Sequence, residues 1–288
     1  GVQTCALPIF NSSFMVRALH VVATAGMTMA FILAAIAAFK LLRHNHTEDR
    51  TYHTKALNLS MIVGFINTVL SMIAGDLSAK FLHKVQPDKL AAYEWHYDTQ
   101  SHANLVLFGV LNEKTHEVSG ALEIPGLLSF LADNSFNTKV KGLNEFPKNE
   151  LPPMIVHYFF DLMVSMGIFC FIISGLYMLF LIVKKLRKYV TSSVMLYAIL
   201  LTGPASMLAI EFGWFLTEMG RQPWIIRGYM RVSEAATQAG GITLVTTLFG
   251  LLYLLLLVTS AYVLIRMFKN QPAYKDVEKV IKERGETK

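Results

Sequence analysis

The chain has 288 residues, 53% of them hydrophobic and only 16% charged, with a formal net charge of +6. That balance is too apolar for a soluble domain of ordinary composition. The basic residues sit mainly at the ends of apolar runs, where a membrane protein carries its orientation charges, and this argues against a nucleic-acid partner. Cys5 and Cys170 are the only cysteines and imply neither a disulfide framework nor a thiolate metal site.

The chain opens on GVQTCALPIF, which has no initiating Met and no basic n-region. Residues 1–13 are accordingly set apart from the fold as a leader of doubtful origin. Five later stretches are long enough to cross a hydrocarbon core, which takes roughly 20 apolar residues. They run about Phe14–Leu42, Leu57–Leu77, Pro153–Val183, Val190–Met219 and Gly241–Phe268. Lys40, Arg43, Arg50 and Lys55 lie between the first two, Lys184–Lys188 between the third and fourth, and a Lys-rich tail follows the fifth. The positive-inside rule makes that side cytoplasmic. The expected fold class is an all-α polytopic membrane protein: spans one and two over 14–77, a long extracytoplasmic loop over 78–151, spans three to five over 152–268, and a basic tail over 269–288.

Span one places His20 inside an apolar helix, about two turns from its outer end. Such a His is either hydrogen-bonded to a neighbouring helix or a haem ligand, and a haem needs a second donor at similar depth. Span three offers Met163, ten residues past Pro153, or about 15 Å along a helix. His157 is the other histidine inside an apolar span. The outer loop contains Val-Gln-Pro-Asp-Lys-Leu-Ala-Ala-Tyr-Glu94, in which Lys89 and Glu94 by themselves read as an exposed i,i+5 pair on an amphipathic helix. Further on, LEIPGLLSF is too short to span and is expected to lie on the membrane surface. In span four, Gly203-Pro204 predicts a kink. Glu211, Trp214 and Glu218 then share a helix face. Glu218 lies in GWFLTEMGRQPW with Arg221, Gln222 and Trp224. Ionisable groups at membrane depth mark a functional site, although an interfacial Trp belt closed by a Glu–Arg pair would look much the same.

GWFLTEMGRQPW closely resembles the signature of subunit I of the cytochrome bd quinol oxidases. PPMIVHYFFDLMVSMG, the stretch around His20 and the KLAA-x-E pattern resemble segments of the same family, in the same order. The loop resembles that of the short-loop, cyanide-insensitive branch. The resemblance implies low-spin haem b ligation by His20 and Met163. It implies that Glu218 binds a high-spin haem b, that Trp214 packs against the haems, and that Arg221 pairs with a propionate or carboxylate. Lys89 and Glu94 align with the pair implicated in quinol oxidation. A haem d or further haem b, ubiquinol or menaquinol as substrate, subunit II, a small accessory subunit, surrounding lipid and a bacterial or archaeal cytoplasmic membrane complete what it implies. Glu211 is a proton-path residue or merely a capped polar group. Asp161 stands where many members have an Arg beside the haem, and a carboxylate there would favour the oxidised haem. The resemblance runs from about Phe14 to the end of span five, so the chain reads as the C-terminal portion of such a subunit. Two other classes fit the composition: a different dihaem cytochrome passing electrons to another acceptor, and a non-redox transporter or structural membrane protein.

Overall fold

The computed structural model describes residues 12–43, 47–112, 115–237, 240–270 and 279. The leader up to residue 11 and most of the basic tail lie outside the described residues. Among the described residues, five helices are long and apolar enough to cross a membrane. In chain order they are α1 (Phe14–Arg43), α2 (Thr47–Val85), then, after two short helices, α5 (Val156–Ile182), α6 (Ser193–Met219) and finally α8 (Ile242–Asn270). The first four form an up-and-down bundle in which α1 packs on α2 and α6, and α5 packs on the same two helices. Thus α1 and α5 stand diagonally opposite.

Small residues set the helix spacing, as expected where lipid tails leave little hydrophobic drive between helices. A Cβ on Gly64 would press on the Phe31 ring at 2.9 Å, and one on Gly203 would meet the Ala35 Cβ at the same distance. Around these contacts Phe31, Leu57, Met61, Tyr177 and Ile199 are wholly buried. The buried hydroxyls of Thr68, Ser174, Thr202 and Ser206 donate to carbonyls of their own helices. That pattern satisfies each group without a cross-helix partner. The Tyr177 hydroxyl is different, donating to Asn58 Oδ1 on α2 at 2.6 Å.

Helix α2 extends past the sequence reading at both ends. Helix α2 begins ten residues before Leu57 and continues eight past Leu77, because backbone bonding does not stop where the apolar run stops. An Asp76–Lys80 pair spaced i,i+4 at 2.5 Å braces its outer end. Helix α6 runs unbroken through Pro204, whose ring lies on an exposed side of the helix.

The loop has a fold of its own. Pro87 at the first turn starts α3 (Pro87–Tyr93), its fixed φ suiting a helix start. Strand β1 (Leu105–Leu107) pairs antiparallel with β4 (Leu122–Ile124), and β2 (Val110–Asn112) with β3 (Glu117–Ser119). Helix α4 (Leu127–Asp133) follows Gly126, whose φ of 70° suits glycine. Leu90, Ala103, Leu105, Leu128, Ala132 and Val140 form the loop's small core. LEIPGLLSF is therefore a strand, a turn and the start of a helix, with Leu128 turned inward. Beyond α6, β5 (Trp224–Ile226) and β6 (Met230–Arg231) form a hairpin, and α7 (Val232–Ala235) leads toward α8. All the described side chains of α8 are exposed, and it is apolar on all sides, as a lipid-contacting helix would be.

Candidate functional site

His20 lies six residues into α1 and Met163 seven into α5, and both helices start at the loop end of the bundle. At 1.5 Å per residue the two sit about 9 and about 10 Å deep. They stand at matched depth on diagonal helices. His20 Nδ1 is buried without a hydrogen-bond partner, and its Cε1 is 3.7 Å from where a Gly75 Cβ would be. Met163 is part-buried against α6, its Sδ facing Gly213. His20 carries one imidazole nitrogen without a partner and Met163 a thioether, donor types that suit a haem iron. Among the described residues no group of three or more His, Cys, Asp or Glu forms a site for a bare metal ion.

The loop closes over this end of the bundle, and KLAA-x-E meets GRQPW there. Tyr93 stacks near Phe160, and its hydroxyl reaches the Leu216 carbonyl at 3.5 Å. Any side chain on Gly220 would collide with that hydroxyl, so the glycine is needed for close approach. Arg227, in the β5–β6 hairpin, donates to Asp88 at 2.8 Å. These contacts press α3 into the junction of α5 and α6 and carry Glu94 inside. Glu94 is 3% exposed, its Oε2 has no hydrogen-bond partner, and Lys89 is half-buried. The exposed surface pair that spacing alone allowed is not what forms.

Burial, and then the nearby Asp161 carboxylate, push the Glu94 acid up to about 8. Burial also lowers the Lys89 ammonium to about 8; Arg17, Arg227 and Arg221 add to the fall, and Asp88 opposes it. Tyr93 is raised to about 12, mainly by burial. The two loop groups thus change charge in the same range, far from their ordinary values.

Two residues on α5, one turn apart, hold the loop down, and sequence reasoning gave neither this role. His157 is fully buried, its Nδ1 2.6 Å from the Tyr93 carbonyl and its ring stacked on Trp95 at 3.9 Å. Its Nε2 is 3.3 Å from Asp161 Oδ2, an ion-pair distance without hydrogen-bond alignment. Asp161 Oδ2 accepts the Phe108 backbone N–H at 2.5 Å. The Asp161 carboxylate is thus turned to the loop. The signal available beforehand was the i,i+4 spacing of two polar groups in an apolar run.

At the end of α6, Arg221 donates to Glu218 Oε2. The local ion pair that the sequence reading set against a ligand role is present, with side chains 47% and 42% exposed. Trp214 is 56% exposed and leans on Phe215, and Glu211 is exposed as well. This face of α6 points away from the packed bundle, so Glu218 does not join His20 and Met163. Arg231 stacks over Trp224, its guanidinium 4.9 Å from the ring centroid, fixing the hairpin that follows.

Together these features define a polytopic helical membrane protein with a folded loop closing one end of its bundle. The family described as cytochrome bd terminal oxidase subunit I matches residues 2–272. That range takes in most of the leader set apart above. The chain is 38% identical over 270 residues to a protein of Bacillus subtilis (strain 168) named as a cytochrome bd menaquinol oxidase subunit I, covering 93% of this chain and 60% of the relative. It is 29% identical over 278 residues to a cytochrome bd ubiquinol oxidase subunit 1 of the same organism, covering 91% and 58%. The solved bd oxidase of Geobacillus thermodenitrificans matches with a TM-score of 0.84 and 47% identity, covering 92% of this chain and 60% of that one. The chain belongs to the cytochrome bd terminal oxidase subunit I family. It spans about 60% of the length of the first of these relatives.

Proposed function

We propose that the chain works within a quinol-oxidising, oxygen-reducing membrane oxidase, in which its outer loop takes electrons and protons from quinol above a haem b held by His20 and Met163. The observation that carries this reading is the pairing of those two donors at one depth on diagonal helices, with Lys89 and Glu94 docked directly over that end of the bundle. When bound, haem supplies a one-electron acceptor, and His/Met ligation suits it to low-spin electron transfer.

The protein's own residues do the proton work. Quinol oxidation releases two electrons and two protons. Lys89, half-buried, orients a quinol oxygen, and the Glu94 carboxylate accepts a proton from it, being poised close to working pH. Glu218, on the open face of α6, would hold a high-spin haem b, with Trp214 against the haems and Arg221 shared with a propionate. Haem d or a further haem b, subunit II and a small accessory subunit complete the assembly, with ubiquinol or menaquinol as substrate. The loop lies on the outer side of the cytoplasmic membrane, since Lys40, Arg43 and Lys184–Lys188 mark the opposite end as cytoplasmic.

A reduced-minus-oxidised spectrum of the purified assembly tests the central point. A b-type α-band is expected in the parent and lost in both His20→Ala and Met163→Leu. A full low-spin band in both variants would overturn the ligand assignment.

A further inference from the structure

We propose that His157 is a positioning residue for Glu94, fixing the carboxyl group where quinol must deliver its proton. The inference rests on the outer-loop reading given above and extends it to a residue on a different element.

The Glu94 side chain has little of its own to hold it. One carboxyl oxygen is without a hydrogen-bond partner and the group is buried, a combination that is unfavourable unless the surrounding chain imposes it. Its place is set by its two neighbours. On one side is Tyr93, whose carbonyl lies 2.6 Å from His157 Nδ1. A carbonyl only accepts, so Nδ1 carries the hydrogen in this contact. On the other side is Trp95, whose indole stacks on the imidazole at 3.9 Å and donates through Nε1 to the Met154 carbonyl at 2.8 Å. Trp95 itself sits at φ 45°, a left-handed conformation that a non-glycine residue keeps only when it is held there. One imidazole therefore touches both residues flanking the carboxyl group. Because the ring is wholly buried on a transmembrane helix, it gives a loop residue the fixity of the bundle.

The test uses the assembled oxidase. His157→Phe keeps an aromatic ring for Trp95 and removes the donor to Tyr93; His157→Asn restores a donor near the Nδ1 position. In His157→Phe, kcat for quinol is expected to fall about tenfold, a displacement-sized effect, with the haem α-band unchanged and most of the rate recovered in His157→Asn. In a Glu94→Gln background, His157→Phe is expected to cause no further loss, since a residue acting through Glu94 has nothing left to position. Parent-like turnover in His157→Phe beside slow turnover in Glu94→Gln overturns the inference and leaves the outer-loop reading standing. Parent-like turnover in both Glu94→Gln and Lys89→Ala removes that reading, and the inference with it. An additive loss in the Glu94→Gln background, or haem loss in both His157 variants, makes His157 a folding residue and also overturns the inference.

Discussion

Gly213 and Met163 meet flank to flank, with a Cβ built on the glycine only 3.1 Å from the methionine sulfur. Gly213→Ala thus opposes two effects. Alanine gains about 1 kcal/mol of helix propensity in the interior of α6, and overpacking costs about 1–3 kcal/mol where the neighbour cannot yield. A free thioether would swing aside; one committed to an iron would not. The expected outcome is a weakened low-spin haem band with little change in melting temperature, read by difference spectroscopy and thermal unfolding of the same sample.

Glu218→Gln separates an ion pair from a haem ligand. Exposed pairs such as Glu218–Arg221 contribute only about 0–1 kcal/mol. If the carboxylate served that pair alone, the variant would keep every haem. The expectation under a ligand role is selective loss of the high-spin haem b signal, with the His20/Met163 band intact. Haem content by pyridine haemochrome and magnetic circular dichroism reads the difference.

Under the proposed function, the loop's two shifted groups would give turnover a defined pH dependence. Glu94 accepts a proton only when ionised, so quinol kcat/KM is expected to rise with pH as the acid titrates near 8. Lys89 loses its charge in the same range, and the rate falls again above it. The profile is therefore a narrow bell whose apparent values belong to the pair. Glu94→Gln is expected to lower the rate and abolish the acid limb. Stability runs the other way: the raised acid favours the closed loop fully below its ordinary value of about 4, and this contribution is lost as pH rises through about 8. Amide exchange across residues 87–96 at pH 5 and pH 9 checks that sign.

Asp161→Ala is expected to release the Phe108 segment without unfolding the bundle. Phe108 stands at φ 59°, a conformation costing on the order of 1 kcal/mol or more, and its N–H is the group Asp161 accepts. Removing the acceptor leaves that donor unpaired at a cost of about 1–3 kcal/mol. Faster exchange and proteolysis confined to residues 105–112 would bear this out; uniform loosening of the four-helix bundle would count against it.

Much of the architecture was legible because it is written in composition. Leu, Ile, Phe and Val runs announce membrane helices whatever they pack against, and Lys184–Lys188 announces a boundary. The loop was not legible in the same way. Whether LEIPGLLSF lies flat or folds depends on Ala103 and Val140, which are distant in sequence and meet Leu128 only in the assembled loop. Glu94 looked solvent-exposed because α3 is short and polar in places, and nothing local says that Tyr93 will dock beside Gly220. Asp161 drew notice as an odd residue near a ligand, yet helical phase sets it about 200° from Met163, on the flank that meets the loop.

That phase has a mechanical consequence. The segment from His157 to Met163 carries the loop's anchors on one flank and the proposed sulfur donor on another. Under the proposed function, a small twist of α5 would move the proton-accepting and electron-accepting sides of the reaction in a single motion. Perturbations applied at either end, by lipid thickness or by a neighbouring subunit, would then change the rates of both transfers in step.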